Sequence, residues 1–275
     1  METTIHSVRN PRVKLAIRLR DRRGRRQQHR IIVDGLRETT RAIQAGVRPI
    51  ELFVCPPLLT ESDQTELENS LNAAGVHAAT VSREVFDKLA FGDRSDGVVM
   101  VAAEPRAQLT DISLPADGLV LVLESLEKPG NLGAIVRTAD AAGAACVIVA
   151  DAATDLFNPN AIRASAGAIF RVPLAAAAAQ DVRDWLQAHQ VTTYAAHVDA
   201  AIPYTAITFR GRCAVILGSE SSGLSEEWRA PSVVSVAIPM LGIADSLNVS
   251  VAAAVFCYEA LRQRQAGISP PHGIR

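Results

Sequence analysis

The feature that most narrows the possible folds is an alternation repeated along the chain. Short runs rich in Val, Ile and Leu are each followed by a loop and then by a stretch with helical spacing of its apolar residues. Runs of that length bounded by Gly, Pro, Asn or Asp read as strands. Strands that alternate with helices build a sheet covered by those helices. The chain is therefore an α/β protein. Aromatic residues make up only 4 % of it, so the core has to be assembled from Ala, Val, Leu and Ile.

The alternation comes in two blocks. In the first, RIIVD leads through the Asp34-Gly35 turn into a helix closed by Gly46, and IELFVC, VHAATVS and DGVVMVAAEP supply further strands. This block, residues 31–105, is a small α/β domain. Residues 106–117 hold Pro115 and little periodicity and read as a linker. From Gly118 the pattern resumes as a larger α/β domain, residues 118–268, with strands LVLVLES, CVIVAD, RVPLAAA, VTTYAAHV, CAVILGSE and SVVSVAIPM. Its last element, SLNVSVAAAVFCYEALRQRQ, is a helix apolar on nearly every side, as expected of one buried against more than its own sheet. Residues 269–275 are a tail.

Charge is distributed unevenly. Net charge is −1, yet Arg9, Arg12, Lys14, Arg18, Arg20, Arg22, Arg23, Arg25, Arg26 and Arg30 face only Asp21 between residues 9 and 30. Residues 1–30 read as a basic arm, with a helix starting at Pro11 and ended by Gly24. Such a density of arginine suits a polyanion, and Arg22 and Arg23 are candidate phosphate contacts. Arg37 and Arg41, at i,i+4 spacing beside the Asp34-Gly35 turn, are further candidates.

Other classes are disfavoured. No apolar run reaches the roughly 18 residues of a membrane span, and Met1 is followed by no apolar signal core. Cys55, Cys146, Cys213 and Cys257 lie far apart in apolar runs, without CxxC pairs or histidines at ligand spacing, so neither a disulfide framework nor a metal site is expected. A reducing cytoplasm fits best.

Three loops gather the polar residues. GNLG at 130–133 opens the helix that carries Arg137, but it lacks both the GxGxxG dinucleotide fingerprint and the Lys-Ser/Thr of a P-loop. VILGSESSGLSEE runs from a strand into a loop of small polar residues around Glu220, and IPMLGIADSLN places Ser246 and Asn248 before the final helix. In open α/β sheets ligands bind beyond the carboxyl ends of strands, where all three loops fall. With no His or Cys in them, they suit a transfer whose reactive group comes from a cofactor. Each residue also has a plain structural role open to it: Ser246, Asn248 and Asn131 as helix caps, Glu220 as a surface carboxylate, Arg137 as cover for an apolar face.

In order and wording, EKPGNLGAIVRTADAAGA, VILGSESSGLSEEW and IPMLGIADSLNVSVAAAVFCYEALRQR resemble the three motifs of the SpoU/TrmH family of RNA ribose 2′-O-methyltransferases, over residues 119–264. The first block resembles, less closely, the ribosomal-protein-like substrate-binding domain that precedes the catalytic domain in ribosomal-RNA members. The resemblance implies S-adenosylmethionine as cofactor, a trefoil-knotted catalytic domain, and a homodimer with its site near the interface. It implies that Gly218, Ile238, Met240 and Leu247, with Ser246 and Asn248, line the cofactor pocket. Asn131, Arg137, Glu220, Ser246 and Asn248 match the family's active-site polar residues, and Arg163 an arginine linked to RNA or cofactor binding. The expected substrate is RNA, ribosomal by analogy. Transfer RNA, a non-catalytic RNA-binding role and a Rossmann-type oxidoreductase are the alternatives.

Overall fold

The computed structural model describes residues 4–91 and 96–266, leaving aside the side chains of residues 72–74. These form two compact units. One holds the chain up to Arg106 together with Asp155–Arg171, and the other holds Ala107–Thr154 and the chain from Val172 onward.

The first unit begins with α1 (Pro11–Arg18), α2 (Arg22–Gln28), β1 (Arg30–Asp34) and α3 (Leu36–Gln44). It continues through β2 (Pro49–Val54), α4 (Glu61–Ala74), β3 (Ala78–Thr80), α5 (Arg83–Leu89) and β4 (Val98–Ala103). The sheet order is β1-β4-β2-β3, with β4 antiparallel to both neighbours and β2 parallel to β3. Its core joins Val13, Ala16 and Leu19 to Ile32, Phe53, Phe86 and Val99.

That core corrects the expectation of a separate arm over residues 1–30. Val13 and Leu19 are completely buried, and burying one such side chain is worth about 1.5–3 kcal/mol. Ile5 bridges to Val81, so the basic segment is part of the folded unit. Gly24 does not end a helix either. The break falls at Leu19–Asp21, and Gly24 lies inside α2, where a Cβ would stand 1.9 Å from the Arg18 carbonyl oxygen. The glycine is what lets α2 pack onto the end of α1.

In the second unit β5 (Leu119–Glu124) is followed by α6 (Pro129–Ala142) and β6 (Cys146–Ala150). The chain then contributes α7 (Pro159–Ala164) to the first unit. It returns through β7 (Leu174–Ala177), α8 (Ala179–Ala188), β8 (Thr192–Ala196), β9 (Ile202–Pro203), β10 (Cys213–Leu217), β11 (Val233–Ala237) and α9 (Val249–Gln265). The sheet, ordered β7-β6-β5-β10-β8-β11-β9, is parallel throughout. Every residue of β5, β6 and β10 is buried, as a parallel sheet covered on both faces requires. The four cysteines are buried and free. Loss of hydration pushes the Cys146 and Cys257 thiols up to about 12 and Cys213 to about 11, so none supplies a thiolate at neutral pH.

Two boundaries differ from the sequence reading. Ile112 and Leu114 belong to the core of the second unit, and Arg212 donates to the Leu114 carbonyl. Residues 106–117 therefore pack as structure rather than as a free linker. Asp155–Arg171, expected inside one domain over 118–268, clusters with the first unit. The proposed tail, 269–275, lies outside the described residues.

Candidate active site

Because the seven strands are parallel, their carboxyl ends and the loops that follow all emerge on one side. From β5 the order runs one way to β6 and β7 and the other way to β10 and β8, so a crevice opens beyond the central strands. There the structure has a cavity of about 510 Å³, within the usual size for a small-molecule site. Its walls come from four loops. Lys128 follows β5, His197 and Val198 follow β8, and Gly218, Ser219, Glu220 and Gly223 follow β10. The loop after β11 adds Ile238, Met240, Asp245, Ser246 and Leu247, and the start of α9 adds Asn248, Val249, Ala252 and Phe256.

The loop after β10 is folded tightly on itself. A Cβ at Gly218 would meet the Gly223 carbonyl carbon at 2.2 Å and the Leu224 nitrogen at 2.5 Å, both backbone atoms that cannot swing away. The Ser219 hydroxyl accepts from the Ser222 N–H at 3.2 Å and shares a 2.8 Å hydrogen bond with the Ser222 hydroxyl. Beyond it, the buried Glu124 carboxylate at the end of β5 accepts from the Ser225 N–H and hydroxyl, each at 2.8 Å, and from the Trp228 indole N–H at 2.7 Å. These bonds fix where Glu220 stands. Asn131, in the first turn of α6, donates its amide to the Glu220 carboxylate, and the Lys128 ammonium lies 4.0 Å from the same oxygen.

Comparison with known proteins decides the family. Residues 118–258 match the SpoU rRNA Methylase family, and residues 10–100 match the MRM3-like substrate binding domain. This chain belongs to the SpoU rRNA methylase family. Among its relatives is a 23S rRNA (uridine(2479)-2′-O)-methyltransferase of Streptomyces viridochromogenes, 31 % identical over 285 residues that cover 94 % of this chain and 96 % of the relative. A solved RNA 2′-O ribose methyltransferase is 39 % identical, with a TM-score of 0.83 over 95 % of this chain and 99 % of its own. An AdoMet-bound rRNA methyltransferase from Sinorhizobium meliloti is 28 % identical, with a TM-score of 0.85 over 95 % and 97 %.

The SpoU cavity suits S-adenosylmethionine chemically. Leu247, Val249 and Phe256 offer an apolar wall for a purine, while exposed backbone around Gly218 and the polar rim can satisfy hydroxyl, amine and carboxylate groups. His197 is buried in the wall, and its Nε2 has no hydrogen-bond partner. Burial first and the Arg229 charge second hold that imidazole below its ordinary range.

Of the residues singled out from sequence, Gly218, Glu220, Ile238, Met240, Ser246, Leu247 and Asn248 line this one cavity, and Asn131 is tied to it through Glu220. Asn248 also caps α9, accepting from the Ser250 N–H at 2.9 Å, so capping and lining coexist in one side chain. Arg137 stands apart. It is exposed, does not line the cavity, and makes no hydrogen bond or ion pair among the described residues. Six residues of helix put it about 9 Å along α6 from Asn131 and about 120° around. Arg163 and Arg41 are engaged within the first unit. The Arg163 guanidinium donates to the Phe91 carbonyl and lies 5.5 Å over that ring, and Arg41 donates to the Ala166 carbonyl at 2.6 Å. Arg37 pairs with the buried Glu38 at 2.7 Å.

Sequence reasoning missed Lys128, Glu124 and His197. The signal for His197 was present, since it follows the strand VTTYAA directly and the strand-end rule covers a fourth loop as well as three.

Proposed function

We propose that the protein transfers a methyl group from S-adenosylmethionine to a ribose 2′-hydroxyl of ribosomal RNA. The observation that carries this reading is the convergence of Gly218, Glu220, Ile238, Ser246, Leu247 and Asn248 on one cavity at the carboxyl ends of the strands, with Asn131 bonded to Glu220. Relatives that span nearly the whole chain act on 23S rRNA, which favours ribosomal over transfer RNA.

When bound, S-adenosylmethionine supplies an electrophilic sulfonium methyl, and the protein holds an alcohol oxygen in line with it. The loops after β10 and β11 hold the cofactor. Asn131 and Lys128 hold Glu220 in orientation, so its side chain faces the reacting hydroxyl. Arg137, a permanent donor, anchors the neighbouring phosphate and stabilises the alkoxide as it develops. Placing the oxygen and carbon in line supplies much of the acceleration.

The working unit is a homodimer whose interface borders the site. Leu241 and Ile243 stand fully exposed in the loop beside the cavity, and Val251 and Tyr258 are half-exposed on α9. Exposed apolar side chains of this kind are what a second copy covers. Arg137, turned away from its own cavity, then completes a site shared between two chains. The family's trefoil knot belongs to this reading too, with α9 packed on α6. So does a cytoplasmic location, where ribosomes are made. RNA is recognised by the first unit, where Arg22, Arg23 and Arg37 are exposed.

The test is methyl transfer from labelled S-adenosylmethionine to total RNA from cells lacking the protein, with ribosomal and transfer RNA separated. Label in one ribosomal species, retained as an alkali-resistant dinucleotide, is the expected result. Label in transfer RNA alone overturns the substrate, and no label in any pool overturns the activity.

A further inference from the structure

Seven of the ten cations between residues 9 and 30 fall into two sets. Arg12 pairs with Glu51. Arg20 donates to the carbonyls of Lys88, Leu89 and Ala90. Arg25 is buried, bonded to Asp155 at 2.6 Å and to the Leu19 and Arg20 carbonyls at 2.7 Å each. These three hold the first unit together. Lys14, Arg18, Arg23 and Arg26 are exposed, and their side chains make no hydrogen bond or ion pair among the described residues.

The second set is arranged on two consecutive helices. Lys14 and Arg18 are i,i+4 neighbours on α1, opposite the buried Val13 and Ala16. Arg23 and Arg26 are i,i+3 neighbours on α2, and neither helix has an acidic residue in its first turn. Both pairs repel, and the cations that open α2 oppose its dipole. Apart from the attraction between Arg26 and the Glu104 carboxylate, an isolated fold gains nothing from these like-charged pairs, whereas a polyanion laid across the helices turns their repulsion into attraction.

We infer that the exposed cations of α1 and α2, Lys14, Arg18, Arg23 and Arg26, form a phosphate-binding face for the RNA backbone, and that Arg12, Arg20 and Arg25 take no part in it. The inference rests on the reading of the protein as an enzyme acting on RNA and adds which surface of the first unit grips the chain. The contact is independent of base sequence. Neighbouring cations stand roughly 5–6 Å apart along their helices, a spacing that lets them meet successive phosphates of one strand. RNA is favoured over an anionic membrane because Val13 and Ala16 of α1 are already buried in the core, leaving Leu15 as its one exposed large apolar side chain and no apolar face to insert.

The test measures binding of the full-length protein to in-vitro-transcribed 23S rRNA between 50 and 300 mM KCl. A variant carrying Lys14→Ala, Arg18→Ala, Arg23→Ala and Arg26→Ala is compared with wild type. Four phosphate contacts contribute about 0.7–0.9 each to the slope of log K against log salt, so the slope should fall by about 3. Arg12→Ala should leave it unchanged. Thermal unfolding and cofactor binding by calorimetry show that the variant is folded. If four changes together unfold it, the pairs Lys14→Ala/Arg18→Ala and Arg23→Ala/Arg26→Ala should each lower the slope by about 1.5. An unchanged slope overturns the face. So does loss of binding to phosphatidylserine vesicles without loss of RNA binding. Failure of the methyltransferase reading shows separately, as absent transfer by the wild-type protein whose salt slope has still been measured.

Discussion

Arg25 in α2 and Arg137 in α6 are the same side chain put to opposite uses. Arg25 is 2 % exposed and bonded to a carboxylate and two carbonyls, so its charge is neutralised inside the fold. Arg137 is exposed on a well-packed helix with no partner among the described residues. A guanidinium is always charged, so one with no internal partner is available to substrate, and one fully bonded is not. Counting arginines along a chain cannot separate these cases. Locating their partners can.

The strongest way to break the comparison is Arg25→Ala. It strands the partly buried Asp155 and two carbonyls, and should destabilise the first unit by about 3–5 kcal/mol in urea unfolding, with cofactor affinity of the second unit retained. Arg137→Ala should do the reverse. Transfer should fall by about 10²–10³, equivalent to about 2.7–4 kcal/mol, while stability changes by less than about 0.5 kcal/mol and the cofactor Kd by less than about twofold. Steady-state transfer and calorimetry on one preparation check both parts.

A third test marks a buried group of the first unit whose charge works against the fold. Asp34 accepts the Phe91 N–H at 2.8 Å. Burial raises its carboxyl to about 6, against the opposing effects of that bond, Arg163 and Arg20, and with help from Asp96. A carboxyl raised on folding stabilises fully below its unfolded pKa, near 4, and that contribution is lost as pH rises to about 6. Wild-type stability should therefore fall by roughly 1–3 kcal/mol between pH 4 and 6.5 on this account. Asp34→Asn should remove that slope in urea titrations and be the more stable protein at pH 7. The smallest effect is expected at the cavity rim, where Asn248→Ala removes the α9 cap and should cost the cofactor-free protein about 1 kcal/mol.

Much of the catalytic unit was legible because its signals are local. Buried parallel strands read as apolar runs, and Glu220, Ser246 and Asn248 lie in the loops beyond two of them, so part of the cavity wall could be named before it was seen, while Gly218, Ile238 and Leu247 came only with the resemblance to the family. What escaped depended on distant partners. The basic segment looked like an arm because its charges dominate, while Val13, Ala16 and Leu19, which dock it, are only three apolar residues among them. Gly24 looked like a helix end, yet its role is close approach to the Arg18 carbonyl. Glu124 looked like the last residue of a strand, and its three donors lie about a hundred residues away. Asp155–Arg171 carries helical signals that say nothing about which unit it joins.

The central claim is that the loops after β8, β10 and β11 hold the methyl donor beside Glu220. Backbone hydrogen exchange with and without S-adenosylmethionine tests it most directly. Protection confined to residues 197–198, 217–223 and 238–249, with α1 and α2 unchanged, is the predicted result. Protection that spares these loops, or falls instead on the first unit, would contradict the account.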